Sequence, residues 1–346
     1  MPDSIAIASA VRRSALKQPE EIARNILRRF AYLFIVLALV FAAIAYAVDD
    51  VFFFRLATEA LLFGGLAMGV DLLLGYAGLL SLGHALFFGL GAYVSALVLK
   101  TVMPSFWLAL LVTLVVSSGV GLVAGIIAIR ARGVYFALIT FGLAEVIAKA
   151  VYNTQELGGS DGIMGVPIVT INFGLFVVNS NDPVAFFLLV LVLIMLFYFG
   201  LEALLRMPFG RMTVAIKANE DRVPFLGFSA QRYKLMVFVV AANVAALSGA
   251  VYPMLRGFVS PELLFFHTSG NAVITVILGG IGTLVGPLYG SVILTTLKSV
   301  IGSFTEHHLI VIGVLFMISV IFFPAGLIGY LKARIQSRHE RNRRAA

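Results

Sequence analysis

Stretch after stretch of this chain stays apolar for the thickness of a lipid bilayer, and that repetition removes most folds at once. The runs fall at 30–48, 56–74, 84–99, 106–129, 133–152, 184–204, 235–255, 270–300 and 308–324. A helix needs roughly 17–25 apolar residues to cross the hydrocarbon core. Backbone groups at that depth find no water, so only helices or closed barrels satisfy them internally. Barrel strands alternate apolar and polar residues over about ten positions, and these runs do not. The fold class is therefore all-α, a polytopic membrane helix bundle. Composition agrees: 61% of residues are hydrophobic and 12% charged, against roughly 45–50% and 25% in soluble domains.

The run at 270–300 is too long for one ordinary span and is interrupted by Gly279, Gly280, Gly282, Gly286 and Pro287. The distribution of Lys and Arg decides how to divide it. Residues 1–29 carry Arg12, Arg13, Lys17, Arg24, Arg28 and Arg29. Ala45-Tyr46-Ala47 has the small-x-small pattern of a signal cleavage site, but the apolar run before it exceeds the about 7–15 residues of a secretory signal. The first run thus reads as a retained span with a cytoplasmic basic N-terminal segment. Simple alternation from there puts the basic tail, 331–346, outside, against the positive-inside rule. Dividing 270–300 at Gly282 into two short or re-entrant helices returns the tail to the cytoplasm, together with Arg130, Arg132 and the loop at 205–234. The expectation is about ten transmembrane or re-entrant segments with broken Gly-rich helices. The long outer loop, 153–183, then has Glu156, Asp161 and Asp182 but neither Lys nor Arg. The net charge of +8 is accounted for by orientation in a membrane, and no nucleic-acid partner is expected. The pairs Gly65/Gly69, Gly121/Gly125 and Gly286/Gly290 place small residues one turn apart, which allows helices to approach closely.

One polar interval separates the two apolar halves: Gly210 to Tyr233, GRMTVAIKANEDRVPFLGFSAQRY. At about 100° per residue, Met212, Ala215, Ile216, Val223 and Leu226 share a stripe. Arg211, Lys217, Glu220, Asp221 and Arg222 surround it, and Val214, Ala218 and Phe225 form a second small patch. Two readings are open: a solvated loop, or an amphipathic helix with one face on its own membrane domain and the other in a partner's groove.

The motifs Gly-Arg (210–211), Ala-Ile-Lys (215–217), Asn-Glu (219–220), Leu-Gly-Phe (226–228) and Arg-Tyr-Lys-Leu (232–235) accompany four others. These are GYAGLLSLGHALFFGLGAY at 75–93, RGVYFALITFGLAE at 132–145, GGSDGIMGVP at 158–167 and LGGIGTLVGPLYG at 278–290. In this order they resemble the branched-chain amino acid ABC transporter permeases of the LivM type, from about residue 30 to about residue 330. The resemblance implies an importer permease domain at 30–330 in the bacterial inner membrane, surrounded by lipid, with both termini cytoplasmic. It implies that 205–234 is the ATPase-coupling loop, with Gly210, Arg211, Ala215, Ile216, Lys217, Asn219, Glu220, Leu226 and Gly227 as its site residues. The implied partners are a second homologous permease, two cytoplasmic ATPases that hold the ATP, and a periplasmic solute-binding protein. No cofactor is expected on this chain. Branched-chain amino acids are the implied solute, while urea, short amides and small aromatic acids are carried by similar permeases. One departure stands out: Asp221-Arg222-Val223-Pro224 replaces an Ala-rich helical run, and Pro224 is expected to kink or end the helix near Val223.

Two glycine-dense stretches supply candidates for a translocation path or gate: Gly75, Gly78, Ser81, Gly83 and His84, then Gly279, Gly280, Gly282, Gly286 and Pro287. Paired interrupted helices line the substrate path in many transporters. The alternative is helix packing with ordinary loops, and for His84 a packed hydrogen-bonding role. Glu145 and Lys149 stand at i and i+4, where they can neutralise each other. Asp71 and Glu202 are expected to reach the cytoplasmic interface, and Glu59 the outer one. In the outer loop Gly159, Ser160 and Asp161 have turn composition, with Asp161 placed to bond backbone amides. That segment is either part of a docking surface for the binding protein or a structural cap.

The chain has no cysteine and hence no disulfide or Cys-based metal site. It lacks a Gly-x-x-x-x-Gly-Lys-Ser/Thr phosphate loop and the common hydrolase motifs, so it is not expected to be an enzyme, and energy must arrive from a partner or a gradient. No series of spaced carboxylates crosses the membrane, which weighs against a proton-driven carrier. The competing classes are a stand-alone secondary transporter or channel and a non-transporting membrane scaffold.

Overall fold

In a computed structural model the apolar runs are helices, and the breaks between them have local causes. The structure describes residues 2–48, 50–172, 177–304, 308–322 and 325–345; side chains are described except at 2–23, 308, 309, 315, 318–320 and 336–345. Arg12, Arg13, Lys17, Arg338, Arg341, Arg343 and Arg344 therefore lie outside the described side chains. The helices are α1 Pro2–Val48, α2 Val51–Asp71, α3 Ala85–Leu97, α4 Phe106–Ala128, α5 Val134–Asn153, α6 Pro183–Arg206, α7 Pro208–Ala218, α8 Ala230–Arg256, α9 Phe266–Gly279, α10 Gly286–Phe304, α11 His308–Phe322 and α12 Gly326–Ala345. Asp50 starts α2 by accepting the Phe52 amide. Asp182 starts α6 by accepting the amides of Val184 and Ala185, with Pro183 in the first turn, where its missing N–H costs nothing. Gly257, at φ +74°, ends α8.

Seven helices among the described residues are long and apolar enough to cross a membrane: α1 from Arg24, α2, α3, α4, α5, α6 and α8. The long apolar run divides where expected, into α9 and α10 on either side of Gly280–Val285. At 14 residues α9 extends roughly 21 Å, short of the about 30 Å core. With α9, α10 and α11 the count reaches about ten segments. Among the described residues the bundle is all-α apart from four very short strands, β1 Ile163–Met164, β2 Thr170–Asn172, β3 Val177–Asn179 and β4 Phe258–Val259. β1 pairs antiparallel with β4 and β2 with β3, and the β1–β4 pair brings the loop after α5 onto the end of α8.

The centre is α2, α3 and α8. A Cβ on Gly91 would stand 2.0 Å from the Ala246 carbonyl oxygen, and one on Gly249 would stand 1.9 Å from that of Phe88. α3 and α8 therefore touch backbone to backbone, a contact that only glycine allows. The small-residue pairs read from the sequence also sit at helix contacts: Gly69 meets α8 backbone and Gly286 and Gly290 meet α9 backbone, while Gly65 and, from α4, Gly121 and Gly125 face α8 mainly through its side chains.

Charged groups collect at the two ends of the bundle. At one end Arg256 pairs with Glu59, and Lys100 Nζ donates to the Met164 carbonyl at 3.0 Å. At the other, Arg28 and Arg206 meet Glu202, and Arg132 meets Glu220 and Asp221.

Candidate functional site

The polar interval lies at the second of these ends and is neither one long helix nor a loop. Pro208 opens α7, Gly210 packs so closely on Leu205 that a Cβ would fall 2.3 Å from its backbone, and α7 stops at Ala218. Two 3₁₀ turns follow, Glu220–Arg222 and Pro224–Leu226, before Gly227 at φ +79°. Asn219 caps the first turn by accepting the Arg222 amide at 3.2 Å. The expected stripe is thus partly formed: Ile216, Val223 and Ala230 make a small buried cluster with Met212 and Tyr233 against it, and Ala215 is half-buried. Leu226 does not belong to the stripe. The helix ends eight residues before it, the wheel no longer applies, and it is exposed. Phe225 is 90% exposed, with Val214 and Phe228 also open to solvent. Arg211 is exposed too. Glu220 holds the segment in place by pairing with Arg132 of the α4–α5 turn and with Lys234 of α8, a lysine only 3% exposed. Beside these residues is an open hollow of about 580 Å³ bordered by Arg132, Glu220, Pro224 and Phe228.

Lys217 is exposed, yet its ammonium reaches back to the bundle. Its ammonium donates to the Gly75 carbonyl at 2.5 Å, and its side chain lies against Gly78, which stands at φ +71°. Gly75 belongs to the π-helical turn Leu72–Ala77 that follows α2. It packs so tightly on Gly282 that a Cβ would be 2.5 Å from the Gly282 nitrogen. The two glycine-rich stretches meet here.

Asp71 joins them, and this overturns its expected place at the interface. It is fully buried, and its carboxylate accepts the backbone amides of Gly282, Thr283 and Leu284 at 2.6, 3.2 and 2.8 Å. Thr283 Oγ1 completes the turn by donating to the Gly280 carbonyl and accepting the Gly286 amide. Leu284, at φ +55°, is the non-glycine residue held in the left-handed region among those described, and the bond from its amide to Asp71 helps to hold it there. The sequence signal was available: a carboxylate at the end of an apolar span, where burial demands partners.

Other candidates fall apart from this junction. Gly83 packs on the Thr140 carbonyl, His84 is buried edge-on to Phe87 and Phe238 with Nε2 over Gly69, and Ser81 is buried beside them in sequence. This loop is pinned by Leu82 to Thr140 and by Ala85 to Ser269. Gly279 and Gly286 pack backbone to backbone, Pro287 is buried at the start of α10, and Gly280 rests on Gly329 of α12. Glu145 does not pair with Lys149 among the described residues; it accepts the Phe266 amide at 3.2 Å and so sits at the start of α9. Asp161 accepts the Ser160 hydroxyl rather than a backbone amide among the described residues, while Gly159 and Gly158 turn the chain at positive φ.

The sequence did not single out the cavity at the opposite end. About 470 Å³ in volume, it lies between α2, α8, α9, α10 and the turn Pro261–Leu264, within the roughly 300–1,000 Å³ of small-molecule sites. Phe63, Leu66, Tyr252 and Leu263 give it an apolar wall, and Asn271, Thr275 and Thr295 a polar one. Its charges are the Glu59–Arg256 pair, Glu262 and Lys298. Among the described residues neither Glu262 nor Lys298 has an ion-pair partner. Thr275 lies one turn above Gly279, so the cavity leads toward the turn that Asp71 holds. None of Gly75, Gly78, Ser81, Gly83, His84 or the 279–287 group lines it.

Residues 52–320 match the sequence profile of the family described as branched-chain amino acid transport system / permease component. The high-affinity branched-chain amino acid transport system permease protein LivM of Salmonella typhimurium is 31% identical over 302 residues, covering 81% of this chain and 71% of that protein. LivM of Escherichia coli is 29% identical over 301 residues, with the same coverage. LivH of Salmonella typhimurium is 21% identical over 286 residues, 76% of this chain and 90% of that one. No solved structure matches. With a profile match over most of its length and a relative above 30% identity, this multi-pass membrane protein belongs to the family of branched-chain amino acid transport permease components.

Proposed function

We propose that the chain is one of two homologous permease subunits of an inner-membrane ABC importer that moves branched-chain amino acids delivered by a periplasmic binding protein. Two cytoplasmic ATPases supply the energy, and ATP is bound on them and not on this chain. The observation that carries the reading is the segment from Pro208 to Gly227: a short helix and two 3₁₀ turns, anchored by Ile216, Val223 and the Glu220 pairs, yet presenting Phe225, Leu226 and Val214 outward. A fixed base with exposed apolar tips suits insertion into a partner's groove. ATP-driven closure of the ATPases would then bias the bundle between two states through a contact that differs between them. The end bearing this segment is the cytoplasmic one, with both termini on that side, and the folded loop at 153–183 faces the periplasm, where Gly159, Ser160 and Asp161 are placed to meet the binding protein. The cavity beside Glu262 and Lys298 has charges of both signs and an apolar wall, which suits a zwitterion with an aliphatic side chain better than urea or a simple amide.

The absence of native cysteine makes the test direct. A single cysteine replacing the exposed Ala218 is fitted with a short photo-crosslinker in native inner membranes, and the captured protein is identified. Recovery of a subunit with a phosphate-binding loop supports the reading. Labelling from the cytoplasmic side without such capture moves a stand-alone transporter ahead, and labelling only from outside overturns the orientation.

A further inference from the structure

The coupling segment and the substrate cavity lie at opposite ends of the bundle, yet a short chain of contacts runs from one toward the other. Lys217, in the last turn of α7, donates to the Gly75 carbonyl. The backbone of Gly75 rests on Gly282 and on the Asp71 carboxylate. Asp71 in turn holds the amides of Gly282, Thr283 and Leu284, the turn from which α9 and α10 rise to line the cavity with Thr275 and Lys298. Lys217 is itself an exposed side chain, but beyond it each contact involves backbone or the fully buried Asp71. A shift that the Lys217 bond passes to Gly75 therefore has few soft degrees of freedom in which to dissipate.

We infer that Lys217 and Asp71 are positioning residues of a strap that transmits movement of α7 to the α9–α10 turn and so opens or closes the cavity between those helices. Lys217 is the detachable link, because an ammonium on a carbonyl can part and re-form without exposing a buried charge. Asp71 is the permanent one, because three buried amides depend on it. The hairpin pivots at the strained Leu284 backbone, and its packing on Gly280, Gly282 and Gly286 lets it move as a unit. The use of this strap in transport rests on the coupling-segment reading above; the mechanical link itself does not.

Hydrogen exchange on the full-length chain in nanodiscs tests the link without any partner. Lys217→Met keeps the side-chain stem and removes the ammonium. Exchange of a peptide covering 280–286 is expected to rise about fivefold, although Lys217 touches none of those residues, while Lys217→Arg restores protection. Unchanged exchange at 280–286 in Lys217→Met, with only the Gly75 turn loosened, overturns the inference. Equal loss in the Met and Arg variants overturns it too, since the bond would then not be the carrier. In the assembled transporter Lys217→Met is expected to retain ATP hydrolysis while transport per ATP falls. If exchange responds as expected but no ATPase is captured at position 218, the strap stands and the importer reading falls.

Discussion

Replacing Asp71 by asparagine removes the charge at the junction of the two glycine-rich stretches while keeping the side-chain shape. The carboxylate now accepts three amides, at 2.6, 3.2 and 2.8 Å from Gly282, Thr283 and Leu284. Asparagine retains one carbonyl oxygen; set in the place of Oδ2 it still accepts Thr283 and Leu284, while the NH₂ donor faces the Gly282 amide, itself a donor, so one of the three bonds is lost. An amide left without an acceptor costs about 1–3 kcal/mol. At about 2 °C per kcal/mol for a long chain, the midpoint of thermal loss of monodisperse protein in detergent falls by about 2–6 °C. Exchange of the Gly282 amide rises at the same time. A fall under about 2 °C with that amide still protected would refute the reasoning, because another acceptor would then be satisfying the turn.

Glu220→Ala leaves the buried Lys234 ammonium without its carboxylate and is expected to cost about 3–5 kcal/mol, read as a lower thermal midpoint, with Lys234→Met in the same background recovering most of it. Phe225→Ala, at a side chain 90% exposed, is expected to leave the midpoint within about 1 °C yet weaken ATPase capture about tenfold or more, measured by co-purification. Gly91→Val forces α3 away from the Ala246 carbonyl and is expected to abolish monodisperse expression, whereas the same change at Gly142, with no neighbour within 4 Å of a Cβ, is tolerated. Glu262→Gln and Lys298→Met are each expected to raise the half-saturating solute concentration in reconstituted vesicles about tenfold without altering the thermal midpoint, and an unchanged value in both removes the cavity from the path.

The reach of the sequence follows from the range of the forces involved. In hydrocarbon an unsatisfied backbone group is so costly that helical spans are dictated locally, so the apolar runs and the division at Gly282 were legible from hydropathy and the placement of Lys and Arg. From sequence Pro224 is expected to kink or end the helix near Val223, but α7 stops earlier, at Ala218, where Asn219 turns extended, and Pro224 opens a separate 3₁₀ turn. Ordered motifs carried the family. Partnerships were not legible, because they join residues far apart in the chain. Nothing near Asp71 announces that amides some 210 positions later will meet its carboxylate, Glu145 had a closer candidate in Lys149 than the Phe266 amide it receives, and Leu226 left its predicted stripe once the helix stopped at Ala218. The cavity beside Glu262 and Lys298 exists only where α2, α8, α9 and α10 converge. The chain alone determined which segments must be helices in a membrane, since that cost is paid residue by residue. Only the tertiary structure decided which buried charge meets which amide, because burial fixes that a partner is required and packing alone supplies it.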